Sequence, residues 1–129
     1  MNLEERALEG AKLLCSSFNV YEGKEELLKK LILKHMGHGT YIEARNNGEL
    51  VACVRFNLSP TGNVAHVVDL AIKPGEWGRF VMQMFVCTGV LRHPSIRYIR
   101  FERDYKYPKR GVRLYKVSKF LKFKGVHNG

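Results

Sequence analysis

Residues Ala65-His66-Val67-Val68-Asp69-Leu70-Ala71-Ile72 form a β-rich run that leads through Lys73-Pro74-Gly75-Glu76 into Trp77-Gly78-Arg79-Phe80, the start of an apolar segment with helical spacing. A strand-to-helix junction of this kind presents free backbone N–H groups at the positive end of a helix dipole, where phosphates are commonly held. His66 and Asp69 place two titratable groups on the strand itself, and strict alternation sends them to opposite faces. The other chemistry-bearing side chains read as structural. Cys15, Cys53 and Cys87 are odd in number, far apart and set among apolar neighbours, which suits reduced core thiols better than disulfides, zinc ligands or a nucleophile. His35 and His38 flank Gly37 with no third ligand nearby, so a metal pair is disfavoured.

Charge adds a second feature. The formal net charge is +10, and it is unevenly placed: residues 1–91 hold ten Lys/Arg against ten Asp/Glu, whereas residues 92–129 hold twelve against Glu102 and Asp104 alone. A basic excess confined to one segment suits a polyanionic partner, whether a phosphorylated cofactor, nucleic acid or an acidic protein surface; a solvated basic face is the plainer alternative. Lys109, Arg113 and Lys116 fall at helical spacing, and Tyr98, Tyr105, Tyr107 and Tyr115 are interleaved with the cations as base-stacking residues would be. No nucleic-acid motif accompanies them, so nucleic acid is the less favoured partner.

The elements that must position these residues follow from periodicity. At 129 residues and 45% hydrophobic content, the chain suits one domain spanning 1–129 with its own core. Its apolar runs are too short to cross a bilayer, and Met1-Asn2-Leu3-Glu4-Glu5 is acidic rather than basic then apolar, so a cytoplasmic, non-membrane protein is expected. Asn2 and Glu5 make a capping-box variant ahead of an amphipathic helix over residues 3–18, and a second helix fits Lys24 to Met36. Tyr41–Arg45 and Leu50–Phe56 flank Asn46-Asn47-Gly48-Glu49, a strong hairpin signal. Val64–Ile72 adds a third strand, Trp77–Leu91 a helix packed on the sheet, and Ile96–Tyr105 a fourth strand. Val112, Leu114, Val117 and Leu121 then predict a final helix. The resulting order, α-α-β-β-β-α-β-α, is an α+β pattern with one βαβ crossover and a mixed, mostly antiparallel central sheet flanked by helices.

This order, with Pro74 and Gly78 at the third strand and Arg113-Leu114-Tyr115-Lys116-Val117-Ser118-Lys119-Phe120 near the end, resembles the GNAT superfamily of N-acetyltransferases. The likeness spans roughly residues 3–121. Phe80 stands where the family usually has a second glycine, Trp77 where it has an arginine or glutamine, and Lys119 where the late signature has glycine. The family's first strand and most of its terminal hairpin are not evident in the sequence.

The resemblance implies acetyl transfer from acetyl-CoA to an amine that the sequence does not identify. Leu70, Ala71 and Ile72 would offer backbone to the pantetheine arm, and Gly75, Trp77, Gly78, Arg79 and Phe80 would surround the pyrophosphate. His66 lies where some members carry a glutamate base, Asp69 is the alternative base, and Tyr115 matches the tyrosine that often protonates the departing thiolate. A second function class also fits, an inactive GNAT-like module whose basic segment contacts nucleic acid or an acidic protein. With a shortened sheet, Ile96–Tyr105 or its neighbour would present an unpaired edge, for which a homodimer is one cover.

Overall fold

The computed structural model describes residues 1–76, 78–102 and 111–121. Their order is α1 (Leu3–Ser17), a 3-10 turn (Asn19–Tyr21), α2 (Glu25–Gly37), β1 (Tyr41–Asn46), β2 (Glu49–Leu58), β3 (Val64–Ile72), α3 (Gly78–Arg92), β4 (Tyr98–Phe101), β5 (Arg113–Lys116) and α4 (Ser118–Leu121). Five strands form one sheet in chain order, antiparallel except for the β3/β4 pair joined through α3.

Local chemistry accounts for the element ends. The Asn2 side chain accepts a hydrogen bond from the Glu5 N–H at 2.8 Å, satisfying one free donor at the start of α1, as the capping signal predicts. Asn47 and Gly48 both take positive φ, 53° and 81°, the geometry that lets a two-residue turn follow the strand twist between β1 and β2. Helices cover both faces of the sheet. Ala7, Ala11 and Leu14 of α1 pack with Leu28 and Ile32 of α2 onto Tyr41, Cys53 and Ala71; Val81, Phe85 and Val86 of α3 pack on Ile42, Val54 and Phe56 from the opposite side.

Four expectations are corrected. Residues 113–116 are a strand, not part of a helix: β5 pairs with β4 through Tyr98↔Lys116, Ile99↔Tyr115, Arg100↔Leu114 and Phe101↔Arg113. The period-two split places Arg113 and Tyr115 half-buried while Leu114 and Lys116 are exposed, so the apolar spacing of Val112, Leu114 and Val117 is coincidental. The predicted helical face of Lys109, Arg113 and Lys116 therefore does not form; Arg113 and Lys116 lie on opposite faces of a strand, and Lys109 lies outside the described residues. β4 is also shorter than Ile96–Tyr105 and is paired on both sides, so among the described residues its neighbour β5, the alternative named for that edge, ends the sheet. Residues 103–105 fall outside the described residues.

The fourth correction concerns β3. Asp69 pairs with Arg55, Val67 with Phe56 and His66 with Asn57, which leaves Val68 as an extra residue against β2. This bulge shifts the alternation by one. His66 and Asp69 consequently share a face of the sheet rather than lying on opposite faces.

Candidate acyl-CoA site

β3 departs from β4 partway along its length. Its ladder with β2 runs from Ala65 to Ile72, whereas its pairing with β4 covers only Val64 to Val67, where β4 ends at Phe101. Among the described residues, the β3 edge facing β4 is therefore unpaired from the bulge to Ile72. A groove of about 910 Å³ opens there, lined by β3 residues Val67 through Ile72 and by Met82, Phe101, Tyr115 and Phe120. Ser17, Phe18, Asn19 and Val20 line the same groove from the end of α1. Its size is within the range of about 300–1,000 Å³ typical of small-molecule and cofactor sites.

The floor opposite β3 is an aromatic cluster carrying two cations. The Tyr115 ring meets Phe101 edge-on at 5.9 Å and Phe120 at 5.8 Å. The Arg113 guanidinium lies 5.2 Å above Phe101, and Lys119 Nζ lies 4.2 Å from the centre of the Tyr115 ring. Lys119 and Phe120 also line an adjoining pocket of about 310 Å³, together with Gly78, Arg79, Met82 and Gln83 at the start of α3. Free N–H groups of the first helical turn and two cationic side chains thus meet at one end of the groove.

The Lys73-Pro74-Gly75-Glu76 turn sets up this end. Glu76 N–H donates to the Lys73 carbonyl at 3.2 Å, Pro74 fixes the second position and Gly75 takes φ 88° at the third, as a type II turn requires. Gly78 then opens α3, and a Cβ there would lie 3.6 Å from Ile72 Cδ1, so this position is close to the strand without demanding glycine.

The structure brings together most of the residues singled out from sequence. Leu70, Ala71, Ile72 and Tyr115 line the groove, and Gly78 and Arg79 line the pocket beside it. Phe80 is 59% exposed in the first turn of α3, Gly75 lies in the turn before it, and Trp77 is outside the described residues. His66 is half-buried beside β4, its Nδ1 3.5 Å from Arg100 Nη1, and is not part of the groove lining. Asp69 contributes to the lining, but its carboxylate is engaged: Arg55 donates from Nε at 2.9 Å and from Nη2, and the Tyr21 hydroxyl donates to the other oxygen.

Lys119, Phe101, Phe120 and Met82 were not assigned to this site from sequence, and Arg113 was expected only as part of a helical basic face that could hold phosphate of a cofactor or of nucleic acid. The one available signal was the alternation in Arg113-Leu114-Tyr115-Lys116, which outlines a strand with Arg113 and Tyr115 on one side. Of the three cysteines Cys53 is buried, whereas Cys15 and Cys87 are half-buried. Burial pushes the Cys53 thiol up to about 12 and raises that of Cys15, which leaves little thiolate at neutral pH.

The Acetyltransferase (GNAT) family profile matches residues 8–86, more than half of the sequence, and the chain belongs to that family. Solved structures agree at the level of fold. Tetrahymena GCN5 is similar with a TM-score of 0.62 at 14% identity, covering 80% of this chain and 64% of that one. A diaminobutyrate acetyltransferase from Paenibacillus lautus, in complex with L-2,4-diaminobutyric acid and coenzyme A, gives 0.58 at 13% identity, covering 76% and 60%. A GNAT family acetyltransferase from Brucella melitensis in complex with acetyl-CoA gives 0.57 at 12%, covering 87% and 82%. The chain thus spans less than two thirds of the length of the first two. No curated protein matches the chain.

Proposed function

We propose that the protein transfers an acetyl group from acetyl-CoA to an amine, with the groove between β3 and β4 as its active site. The observation that carries this reading is the continuity of an unpaired strand edge with the cationic pocket at the start of α3. An extended pantetheine arm can pair with backbone at Leu70, Ala71 and Ile72, while the pyrophosphate meets the first N–H groups of α3, from Gly78 to Phe80, with Arg79 and Lys119 as counter-charges. The Brucella melitensis protein of the same fold was solved with acetyl-CoA, which supports the choice of donor.

Each residue has a definite task in this reading. A β3 N–H near the bulge polarises the thioester carbonyl as the amine nitrogen bonds to it and the carbon–sulfur bond breaks. His66 accepts the amine proton through an intervening water, since the Asp69 carboxylate is already held by Arg55 and Tyr21. Tyr115, in the groove wall, gives a proton to the leaving thiolate. Asp69 acts by holding the turn after α1 against β2.

Calorimetric titration with acetyl-CoA, paired with a free-thiol assay over a panel of amines, tests the reading. Saturable binding and amine-dependent thiol release are expected. Absence of both heat and thermal stabilisation at millimolar ligand overturns it in favour of an inactive module, because a ligand selective for the native state must raise its stability.

A further inference from the structure

A second space adjoins the groove. Beneath α3, an apolar cavity of about 40 Å³ is lined by side chains that include Phe56, Ala65, Val86 and Ile99. It shares two wall residues with the groove, Val67 and Met82. Met82 also lines the pocket at the start of α3, so it touches all three spaces. The cavity holds roughly three water-sized spheres, yet its lining offers water no polar partner, the condition under which cavities stay dry and accept apolar ligands.

We infer that this cavity receives the tail of the acyl group, making the preferred donor a short straight-chain acyl-CoA longer than acetyl, near four carbons. The inference rests on the acyl-CoA reading above, with the same groove and chemistry, and makes acetyl-CoA an accepted donor and a longer acyl-CoA the preferred one. Val67 is the last β3 residue paired to β4, so a thioester carbonyl bound at the first freed backbone beyond it lies next to that side chain. Carbons beyond the acetyl methyl then pass between Val67 and Met82. Methionine, unbranched and with three rotatable side-chain bonds, yields such a passage at little cost. The room available suits two or three additional carbons.

The test is a calorimetric series with the full chain: CoA, acetyl-CoA, propionyl-CoA, butyryl-CoA and octanoyl-CoA. Affinity is expected to rise about fourfold per added methylene up to butyryl, the gain for burying one CH₂, and to fall back at octanoyl. Gly89→Ala supplies the control. Gly89 lines the cavity but neither the groove nor the adjoining pocket, and its added Cβ would lie 3.8 Å from Ile42 Cδ1, in ordinary contact. Alanine also favours the helix, so the variant is expected to fold. It should leave CoA affinity unchanged while cutting the butyryl advantage several-fold. Binding of CoA and acetyl-CoA with no gain on lengthening overturns the inference and leaves the acyl-CoA reading standing. If CoA itself does not bind, both fall together.

Discussion

The Asp69 carboxylate, within a sheet strand and almost wholly buried, accepts two hydrogen bonds from the Arg55 guanidinium on the neighbouring strand. Arg55 is itself buried, and the Tyr21 hydroxyl completes the set by donating to Asp69. The trio ties the turn after α1 to the strand that lines the groove. Removing one member of a buried ion pair leaves the other charge without compensation, so Asp69→Asn should lower stability by about 3–5 kcal/mol. Tyr21→Phe, which removes one hydrogen bond to a charged group, should cost about 1.5–3 kcal/mol. Urea unfolding of both variants checks the ranking; a larger loss from Tyr21→Phe would contradict it.

His35 supplies a pH dependence. It is buried at the end of α2 with its Nδ1 2.8 Å from the Thr40 hydroxyl, and burial, followed by the nearby Arg55 charge, lowers its pKa from 6.5 to about 4. The unfolded chain therefore binds this proton more tightly than the folded one. Stability from the neutral imidazole is fully present above about pH 6.5 and is lost as pH falls toward 4, a change of about 2–4 kcal/mol. Unfolding free energies of the wild type and His35→Gln, measured at pH 7 and pH 4.5, should show a shallower acid loss in the variant.

Packing at Gly10 is equally specific. A Cβ at this buried position in α1 would press on the Tyr41 hydroxyl oxygen and lie 3.0 Å from Ile32 Cδ1. Gly10→Ala should thus destabilise by about 1–3 kcal/mol despite the better helix propensity of alanine. At Gly37 a Cβ meets nothing within 4 Å, and Gly37→Ala should be neutral or stabilising by up to about 1 kcal/mol. Thermal melts of the two variants moving in the same direction would refute this contrast.

Two substitutions separate the proton-transfer roles. Tyr115→Phe keeps the ring against Phe101 and Phe120, so it should lower kcat about 10²-fold with the KM for acetyl-CoA little changed. His66→Ala should remove the rise of kcat/KM with pH on the acid side of the profile. An unaltered profile would move the base elsewhere.

Charge reversal at Lys119 examines the basic segment. If Arg79 and Lys119 counter the cofactor phosphates, Lys119→Glu should weaken acetyl-CoA at least tenfold, and wild-type affinity should decline as salt increases. Binding of nucleic acid at physiological salt that the same change abolishes, with acetyl-CoA affinity intact, would assign the segment to a polymer instead.

Much of the architecture was legible in local signals. The Asn2 cap, the Asn47-Gly48 turn and the Pro74-Gly75 punctuation are short-range devices, set by the side chains that occupy them, and each stands where the sequence puts it. The βαβ crossover through α3 also follows from the order of elements.

What escaped the sequence depended on partners distant in the chain. Residues 113–116 fit a helical stripe and a strand about equally by apolar spacing; pairing with β4 decides for the strand, because an unsatisfied sheet edge gains hydrogen bonds that an isolated helical turn lacks. The Val68 bulge exists only as a mismatch in register against β2, and it alone determines that His66 and Asp69 share a face. By itself the sequence determined an α+β pattern, through the periodicity and order of its elements, and an excess of positive charge, through its composition. Tertiary structure decided which of those charges meet, since the approach of α4 to α3 sets Lys119 in one pocket with Arg79, and Tyr115 of β5 and Phe120 of α4 join Phe101 in the wall facing β3.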